Sequence, residues 1–303
     1  MSQTPGRQIS GGAILRAVRD AYAPLVRPFA AGRKVAVVRI QTRENDPLPW
    51  RQRGEAARVS AEQKVKTFTA LGLNAEHLLL PADTSVSELG DRIAALNADP
   101  QVVGIILQMP VSARLRPLAQ TIAPGKDLDA LGDDSPWRAC ATAQAIVRIT
   151  APFLTADRSV AVVGARGFVG SGVVRLLNDE GVRPVQLDLG DDLGAVRDSA
   201  IVIATSGQPG LLTDQHLHQG HVLVVDCGYM PDLHGGVAGD VHPSAQGLPQ
   251  HITPVPGGIG PTEMAVLVER VAAGLLTDPA GPWRYLGPER GVELPTGLTQ
   301  IRD

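Results

Sequence analysis

From Gly12 to Phe29 apolar side chains recur at helical spacing, and Lys34–Ile40 is a continuous apolar run of strand length. The next stretch, residues 41–58 (QTRENDPLPWRQRGEAAR), holds two prolines and little periodicity, which predicts a long loop of the mobile or functional kind. Helical spacing returns over Ser60–Leu71 and closes at Gly72. A strand near Ala75–Leu79, a helix over Ser87–Asn97 and a strand over Val102–Gln108 follow. This alternation predicts a parallel sheet with helices on both faces. Residues 111–140 read as a short helix, an acidic turn (GKDLDALGDD) and a Trp-containing loop, and Gln144–Leu154 as a connecting helix. A second series starts at Ser159: strand, glycine-rich turn, helix Ser171–Asn178, strand Val185–Leu187, helix near Leu193–Asp198, strand Ala200–Ala204, helix around Asp214–His218 and strand His221–Asp226. A final helix after Pro261 runs through Met264–Leu276. The expected fold is α/β with two domains, 1–148 completed by a returning segment 264–303, and 149–263.

Composition narrows the partners. The chain has 303 residues, 44% of them apolar, enough for two packed domains, and its net charge of −3 offers no basic surface to nucleic acid. No apolar run is long enough to span a bilayer and residues 1–10 lack a signal peptide's apolar core, so the expectation is a cytoplasmic protein acting on a small molecule, with no membrane partner. Cys140 and Cys227 form no disulfide framework and no ligand spacing, and are expected as buried free thiols. His216, His218, His221, His234, His242 and His251 lack cysteine or carboxylate companions at ligand spacing, so no metal is expected and they read as surface histidines. Lysine is rare: Lys34, Lys64, Lys66 and Lys126 stand alone among arginines. Lysine can exchange its proton where arginine cannot, so each of the four is a candidate for proton transfer or merely a chance position.

Gly164-Ala165-Arg166-Gly167-Phe168-Val169-Gly170 follows a strand and opens a helix, and Asp188 closes the next strand. Glycines allow a tight turn and close backbone approach to a pyrophosphate, the helix start supplies free N–H groups, and the acid can accept from ribose hydroxyls. The segment 149–263 therefore reads as a Rossmann-type nucleotide domain. Asp188 repels a 2′-phosphate and favours NAD over NADP, whereas Arg166 in the turn argues the other way.

Ile252–Ala265, ITPVPGGIGPTEMA, places rigid prolines around a glycine pair ahead of an apolar helix, a loop suited either to a flat ligand or to a tight strand-to-helix connection. Together with GIILQMP (Gly104–Pro110), PGKDLDA (Pro124–Ala130), VAVVGARGFVG, DSAIVIATSGQPGLL (Asp198–Leu212), VLVVDCGY (Val222–Tyr229) and AGDV (Ala238–Val241), it resembles the methylenetetrahydrofolate dehydrogenase/methenyltetrahydrofolate cyclohydrolase family over nearly the whole chain. The resemblance implies a substrate domain, an NAD(P) domain, a tetrahydrofolate derivative in a cleft between them, and a homodimer. It implies Lys64, Gln108 and Asp129 as catalytic groups. Substrate contacts fall to Ser60, Leu107, Met109 and the loop Pro256, Gly257, Gly258, Ile259 and Gly260. Cofactor contacts fall to Gly164, Ala165, Arg166, Gly167, Gly170, Asp188, Ser206, Gly207 and Tyr229.

Departures from the family pattern surround these positions. Ser60 stands where the family has a tyrosine, leaving no ring to pack on the substrate, and Trp50 is either its replacement or a loop residue packed on the domain. Ala165-Arg166 and Leu189 replace the residues that read a 2′-phosphate, Cys140–Gln144 lacks the family's proline and glycine, and Thr262-Glu263 replaces methionine-threonine. The implied activity is oxidation of 5,10-methylenetetrahydrofolate, with hydrolysis of the methenyl product left open. Two alternatives stand beside it: an oxidoreductase of the same scaffold with another N-heterocyclic substrate, and a nucleotide-sensing protein without catalysis.

Overall fold

The computed structural model describes residues 7–231, 236–276 and 281–295; His234 lies outside them. The elements are β1 (Arg7–Gln8), α1 (Gly11–Ala30), β2 (Lys34–Ile40), α2 (Leu48–Ala70), β3 (Asn74–Leu80), α3 (Val86–Ala98) and β4 (Val102–Leu107). They continue with α4 (Ala141–Thr150), β5 (Val160–Val163), α5 (Phe168–Asp179), β6 (Val185–Leu187), β7 (Ile201–Ala204) and β8 (Leu223–Asp226). The chain then forms β9 (Met230–Pro231), β10 (Val237–Ala238), β11 (His251–Ile252), α6 (Ile259–Leu275), β12 (Arg284–Gly287) and β13 (Gly291–Glu293).

Contacts divide the chain into two compact units. Among the described residues the first gathers 7–16, 139–231, 236–266 and 284–293, and the second 17–138, 267–276, 281–283 and 294–295. In the second unit three parallel strands lie in the order β3-β2-β4, with an apolar core of β2, β4 and α3 side chains including Val38, Leu89, Ile93, Ile105 and Leu107. The apolar run Lys34–Ile40 is the central strand, buried on both faces as its composition requires. In the first unit six parallel strands run β1-β11-β8-β7-β5-β6. Because β6 flanks β5 on one side and β7 on the other, the strand order reverses at β5, and a crevice opens at its carboxyl end.

Residues 41–58 are not one long loop. The loop ends at Pro47, and α2 runs 23 residues from Leu48, with prolines at 47 and 49 where a helix start tolerates them. Its buried face is Gly54, Ala57, Ala61, Lys64 and Phe68, helical spacing carried mostly by small side chains, so a search for large apolar residues passes over it. Gly54 is required there: a Cβ would lie 2.3 Å from the Thr42 methyl. Asp214–His218 is likewise a turn and not a helix, because the Thr213 N–H bonds the His216 ring nitrogen at 3.1 Å and competes with helical pairing. Leu193–Asp198 is a 3₁₀ helix, and Gln144–Leu154 becomes α4 followed by a single 3₁₀ turn, Ala151–Phe153. No described helix is long and apolar enough to cross a membrane.

Candidate functional site

In the second unit α2 and the end of β4 bring three side chains together. Lys64, only 2% exposed, donates from Nζ to Gln108 Oε1 at 2.8 Å and to Ser60 Oγ at 3.2 Å. Ser60 and Lys64 stand four residues apart on α2, one helical turn, which stacks them on one face. Gln108 directly follows β4, and its Nε2 donates to the Met109 carbonyl at 3.2 Å. That bond fixes the amide with its oxygen toward the lysine. Ser60, where a ring was expected, thus serves the amine as a hydrogen-bond partner and completes the triangle at 3.4 Å from Gln108 Oε1. Burying an amine is costly unless its donors are met, and Gln108 and Ser60 meet two of them.

The other lysines are accounted for structurally. Lys126 Nζ donates to the carbonyls of Leu96, Asn97 and Asp99, closing the end of α3. Lys34 pairs with Asp99 at 3.3 Å, and Lys66 is exposed.

Asp129 is buried on the turn that follows Lys126. The neighbouring carboxylate, Asp127, builds this turn: its oxygens accept the N–H groups of Asp129 at 3.1 Å, Leu131 at 2.7 Å and Gly132 at 2.9 Å. Ala130 is held at φ 51°, in the left-handed region, to make the bend. Arg270 on α6, 1% exposed, donates to the Leu128 carbonyl at 2.8 Å while its guanidinium lies 4.9 Å from the Trp137 ring centre. Sequence reading missed Arg270 and Asp127 as positioning residues; the one available signal for Arg270 was a charged pair, Glu269-Arg270, inside an apolar helix.

Above Ile40 and Pro110 a cavity of about 420 Å³ is lined also by Thr42, Arg43, Trp50, Ser112 and Arg114. Trp50 stands ten residues before Ser60 on α2, so their Cα atoms are about 15 Å apart along the axis. It therefore does not replace the absent ring at position 60, and it sits on a helix and not on a loop.

In the first unit the glycine turn leaves β5 with Gly164 at φ 82°. A Cβ on Gly170 would lie 2.0 Å from the Gly164 carbonyl oxygen, so this glycine lets α5 close on the turn. Gly167 caps α5 without a side-chain bond, which leaves the first N–H groups of the helix for an anion. Asp188 Oδ2 accepts the Arg166 N–H at 2.7 Å, and Ala165 donates to Leu187 O at 3.2 Å, tying the turn to the end of β6. A smaller cavity of about 140 Å³ lies here, bounded by Gly164, Gly167, Asp188, Leu189, Thr205 and Ser206 among others, with Leu189 83% exposed beside it. Gly207 and Tyr229 do not line it. The geometry fits a dinucleotide: a bare backbone turn, a free helix start, and a carboxylate at the end of the second strand.

Two buried carboxylates shape this region from behind. Asp240 Oδ2 accepts from Ser206 N at 2.7 Å, Ser206 Oγ at 2.8 Å and Gly207 N at 3.1 Å, while Asp226 accepts the N–H groups of Gly228, Asp240 and Val241. Burial pushes the Asp226 carboxyl up to about 6 against those three donors, and burial also raises Asp240. His221 is buried and not a surface residue, its Nδ1 2.7 Å from Ser199 O, and burial lowers its pKa. Neither Cys140 nor Cys227 is in a disulfide; Cys140 is buried as expected, Cys227 is only half-buried by surface, and desolvation raises its thiol well above the usual range.

The loop Pro256–Gly260 belongs to the first unit and is pinned at both ends. Gly11 N donates to Gly257 O at 2.9 Å, and Thr262 Oγ1 to Gly258 O at 2.9 Å. Thr262 is fully buried by that bond, so the departure at this position serves the loop's attachment to α6, which starts at Ile259 and includes Pro261 in its first turn. A Cβ on Gly11 would lie 1.8 Å from Gly258 O, so part of the glycine content here is close backbone packing.

Two family models match consecutive parts of the chain: the tetrahydrofolate dehydrogenase/cyclohydrolase catalytic domain over residues 9–129, and the NAD(P)-binding domain of the same family over residues 140–277. The bifunctional protein FolD of Gluconobacter oxydans is 31% identical over 87% of this chain and 90% of its own length. Among solved structures, the methylenetetrahydrofolate dehydrogenase-cyclohydrolase of Trypanosoma brucei, complexed with NADP cofactor and inhibitor, superposes with a TM-score of 0.76 at 23% identity, covering 90% of this chain and 98% of that one. The NAD-dependent 5,10-methylenetetrahydrofolate dehydrogenase of Saccharomyces cerevisiae gives 0.69 at 16% identity, over 88% and 96%. With both halves of its fold and both halves of its sequence matched in order, the chain belongs to the tetrahydrofolate dehydrogenase/cyclohydrolase family.

Proposed function

We propose that this protein oxidises 5,10-methylenetetrahydrofolate to 5,10-methenyltetrahydrofolate with a nicotinamide dinucleotide, and hydrolyses the product to 10-formyltetrahydrofolate. The observation that carries the reading is the buried Lys64–Gln108–Ser60 cluster in a chain whose other unit has a nucleotide turn. When bound, the nicotinamide accepts a hydride from the methylene carbon, which becomes the amidinium carbon of the methenyl group. Oxidation needs no strong base, so the protein's part there is to orient two ring systems. Hydrolysis needs proton transfer: water adds to the amidinium carbon and gives up both its protons, one to solvent and one by relay to N5, as the N5–carbon bond breaks and the formyl C=O forms. Lys64 is the group that relays this proton, aimed by Gln108 and steadied by Ser60. The buried Asp129 carboxylate pairs with the polar edge of the pterin.

NAD is the preferred cofactor. Asp188 sits where the ribose hydroxyls are read and disfavours a 2′-phosphate, and it already engages the Arg166 backbone. The supporting experiment compares kcat/KM with NAD⁺ and NADP⁺ in the wild type and in Asp188→Ser. NAD⁺ should be favoured, and the variant should move the ratio toward NADP⁺ by roughly tenfold or more, since a one-charge repulsion is removed; a wild-type preference for NADP⁺ overturns this choice. Transfer of deuterium from labelled methylene to the nicotinamide ring tests the oxidation itself. Methenyl hydrolysis no faster in the wild type than in Lys64→Ala overturns the second step. The reading includes a homodimer, as the family resemblance implies, and the cytoplasmic location expected from the sequence; the mass in solution tests the pairing.

A further inference from the structure

The carboxylates behind the nucleotide turn form a chain of support that ends at the cavity wall. After β7 the chain bends through Thr205, Ser206, Gly207 and Gln208, and this bend abuts the glycine turn. A Cβ on Gly164 would lie 2.8 Å from Ser206 N, and Thr205 Oγ1 donates to Val163 O at 2.9 Å. Thr205, Ser206 and Gln208 line the cavity of about 140 Å³, and Asp240 does not. Asp240 holds the bend from outside. Its Oδ2 takes donors from Ser206 N, Ser206 Oγ and Gly207 N at 2.7, 2.8 and 3.1 Å, and Ser206 Oγ in turn accepts the Gln208 N–H at 3.2 Å. Asp240 follows β10, outside the six-stranded sheet, yet that sheet fixes it. Asp226, the last residue of β8, accepts the Asp240 N–H at 2.8 Å through Oδ1 and the Val241 N–H at 3.0 Å through Oδ2. Glycine makes room for this stack, since a Cβ on Gly239 would lie 2.1 Å from Asp226 Oδ2.

The two acids use their oxygens differently. Asp226 engages both with backbone N–H groups. Asp240, 1% exposed, places its donors on Oδ2 and leaves Oδ1 buried with no hydrogen-bond partner. A proton enters at that bare oxygen without displacing a donor, and burial raises the Asp240 carboxyl above the ordinary carboxylate range. Protonation leaves Oδ2 a neutral acceptor, so its bonds to the bend lose their charge assistance, about half their strength. The ionisable groups around it are Asp226, the Cys227 thiol and, beyond the thiol, Glu263 of α6, each neutral or negative. His242, two residues on, turns its ring to Ser244 at 2.9 Å.

We propose that Asp240 is a positioning residue of the dinucleotide site: ionised, it holds Ser206–Gln208 in the form that receives the dinucleotide, and neutral, it releases them. Affinity for the dinucleotide then follows the charge of a carboxyl set behind the cavity. The inference rests on the dinucleotide part of the reading above and does not need the folate part. Affinity is full where Asp240 is ionised and falls as pH drops through its midpoint. Linkage makes the effect reciprocal: if the ionised form binds about tenfold tighter, saturation with dinucleotide lowers the Asp240 midpoint by about one pH unit.

The test uses the whole protein, titrated with NAD⁺ and with NADP⁺ in a calorimeter from about pH 8 to about pH 4, with the Asp240 carboxyl carbon followed by NMR through its bonds to its own backbone. The wild-type Kd for the tighter dinucleotide should rise about tenfold on acidification, and its saturation should move the Asp240 midpoint down by about one unit. Asp240→Asn keeps an acceptor oxygen and removes the charge, so at the upper pH it should bind about tenfold more weakly than the wild type, with a Kd that no longer follows pH. Both wild-type readouts stand without the variant, should it fail to fold. A wild-type Kd that ignores pH overturns the proposal, and so does an Asp240 midpoint that the dinucleotide leaves in place, the result expected of an anchor that is only structural. The pH-dependent binding in a protein that oxidises no methylenetetrahydrofolate supports this inference and removes the folate reading. Binding that ignores pH beside normal turnover removes this inference alone, and no binding of either dinucleotide at the upper pH removes both.

Discussion

Replacing Lys64 by methionine separates what the buried amine does for the fold from what it does for the reaction. Methionine keeps most of the volume of the aliphatic stem, and Lys64 is 2% exposed, so the site stays filled where alanine would leave a cavity. The substitution removes donors from Gln108 Oε1 and Ser60 Oγ, which stand 3.4 Å apart and can satisfy one another. Losing a hydrogen bond costs about 1 kcal/mol, and removing a buried polar head returns a similar amount, so stability should stay within about 1 kcal/mol of the wild type. Methenyl hydrolysis should fall by roughly 10²–10⁴, the range for removing a positioned proton carrier, while hydride transfer changes little. Denaturant unfolding and the two steady-state assays on the same preparation measure all three quantities. A variant destabilised by several kcal/mol that still hydrolyses at the wild-type rate would show that Lys64 is structural and refute the reasoning.

Other consequences follow from the same geometry. Gly170→Ala places a methyl 2.0 Å from the Gly164 carbonyl, a backbone contact with no soft side chain to yield, and should cost about 1–3 kcal/mol; dinucleotide affinity measured by titration should fall with it, and unchanged affinity contradicts the turn. Ala130→Gly relieves a residue at φ 51° and should raise stability by about 0.5–1 kcal/mol in thermal melts, whereas a loss would show that the bend carries no strain. Asp226, raised to about 6, is favoured in its protonated form by the fold. Its contribution is whole below the unfolded value near pH 4 and is lost as pH rises through 6, a change of about 3 kcal/mol in order of magnitude. Carboxyl-carbon NMR should show that residue titrating near 6, and a midpoint at or below 4 sinks the assignment.

How much of this was legible in the sequence depends on which physical signal each part carries. The buried strands and the glycine turn announce themselves, because a parallel sheet demands continuous apolar runs and a pyrophosphate turn demands glycines: Lys34–Ile40 forms β2 with the bounds read from its pattern, Gly164–Gly167 forms the turn after β5, and Gly170 lies in the first turn of α5. The start of α2 was hidden, since Gly54 and Ala57 mark its buried face by being small, and prolines at 47 and 49 mimic a loop. The lysine cluster was half visible. Spacing sets Ser60 and Lys64 on one face, but only the fold shows Ser60 bonding the amine and Gln108 held by its own backbone neighbour. Lys126 looked like the same class of residue and is a helix cap, a role set by where α3 ends. Asp127, Arg270 and Asp240 act through backbone groups distant in sequence or folded back by a turn, which no local pattern encodes.

The central claim is that the Lys64 unit and the nucleotide unit together oxidise a reduced folate, and reduced nicotinamide is its direct product. Purified protein given 5,10-methylenetetrahydrofolate with NAD⁺, and separately with NADP⁺, should form one reduced nicotinamide for each methylene group consumed, faster with NAD⁺. No reduced nicotinamide with either dinucleotide, from protein that remains folded, would contradict it.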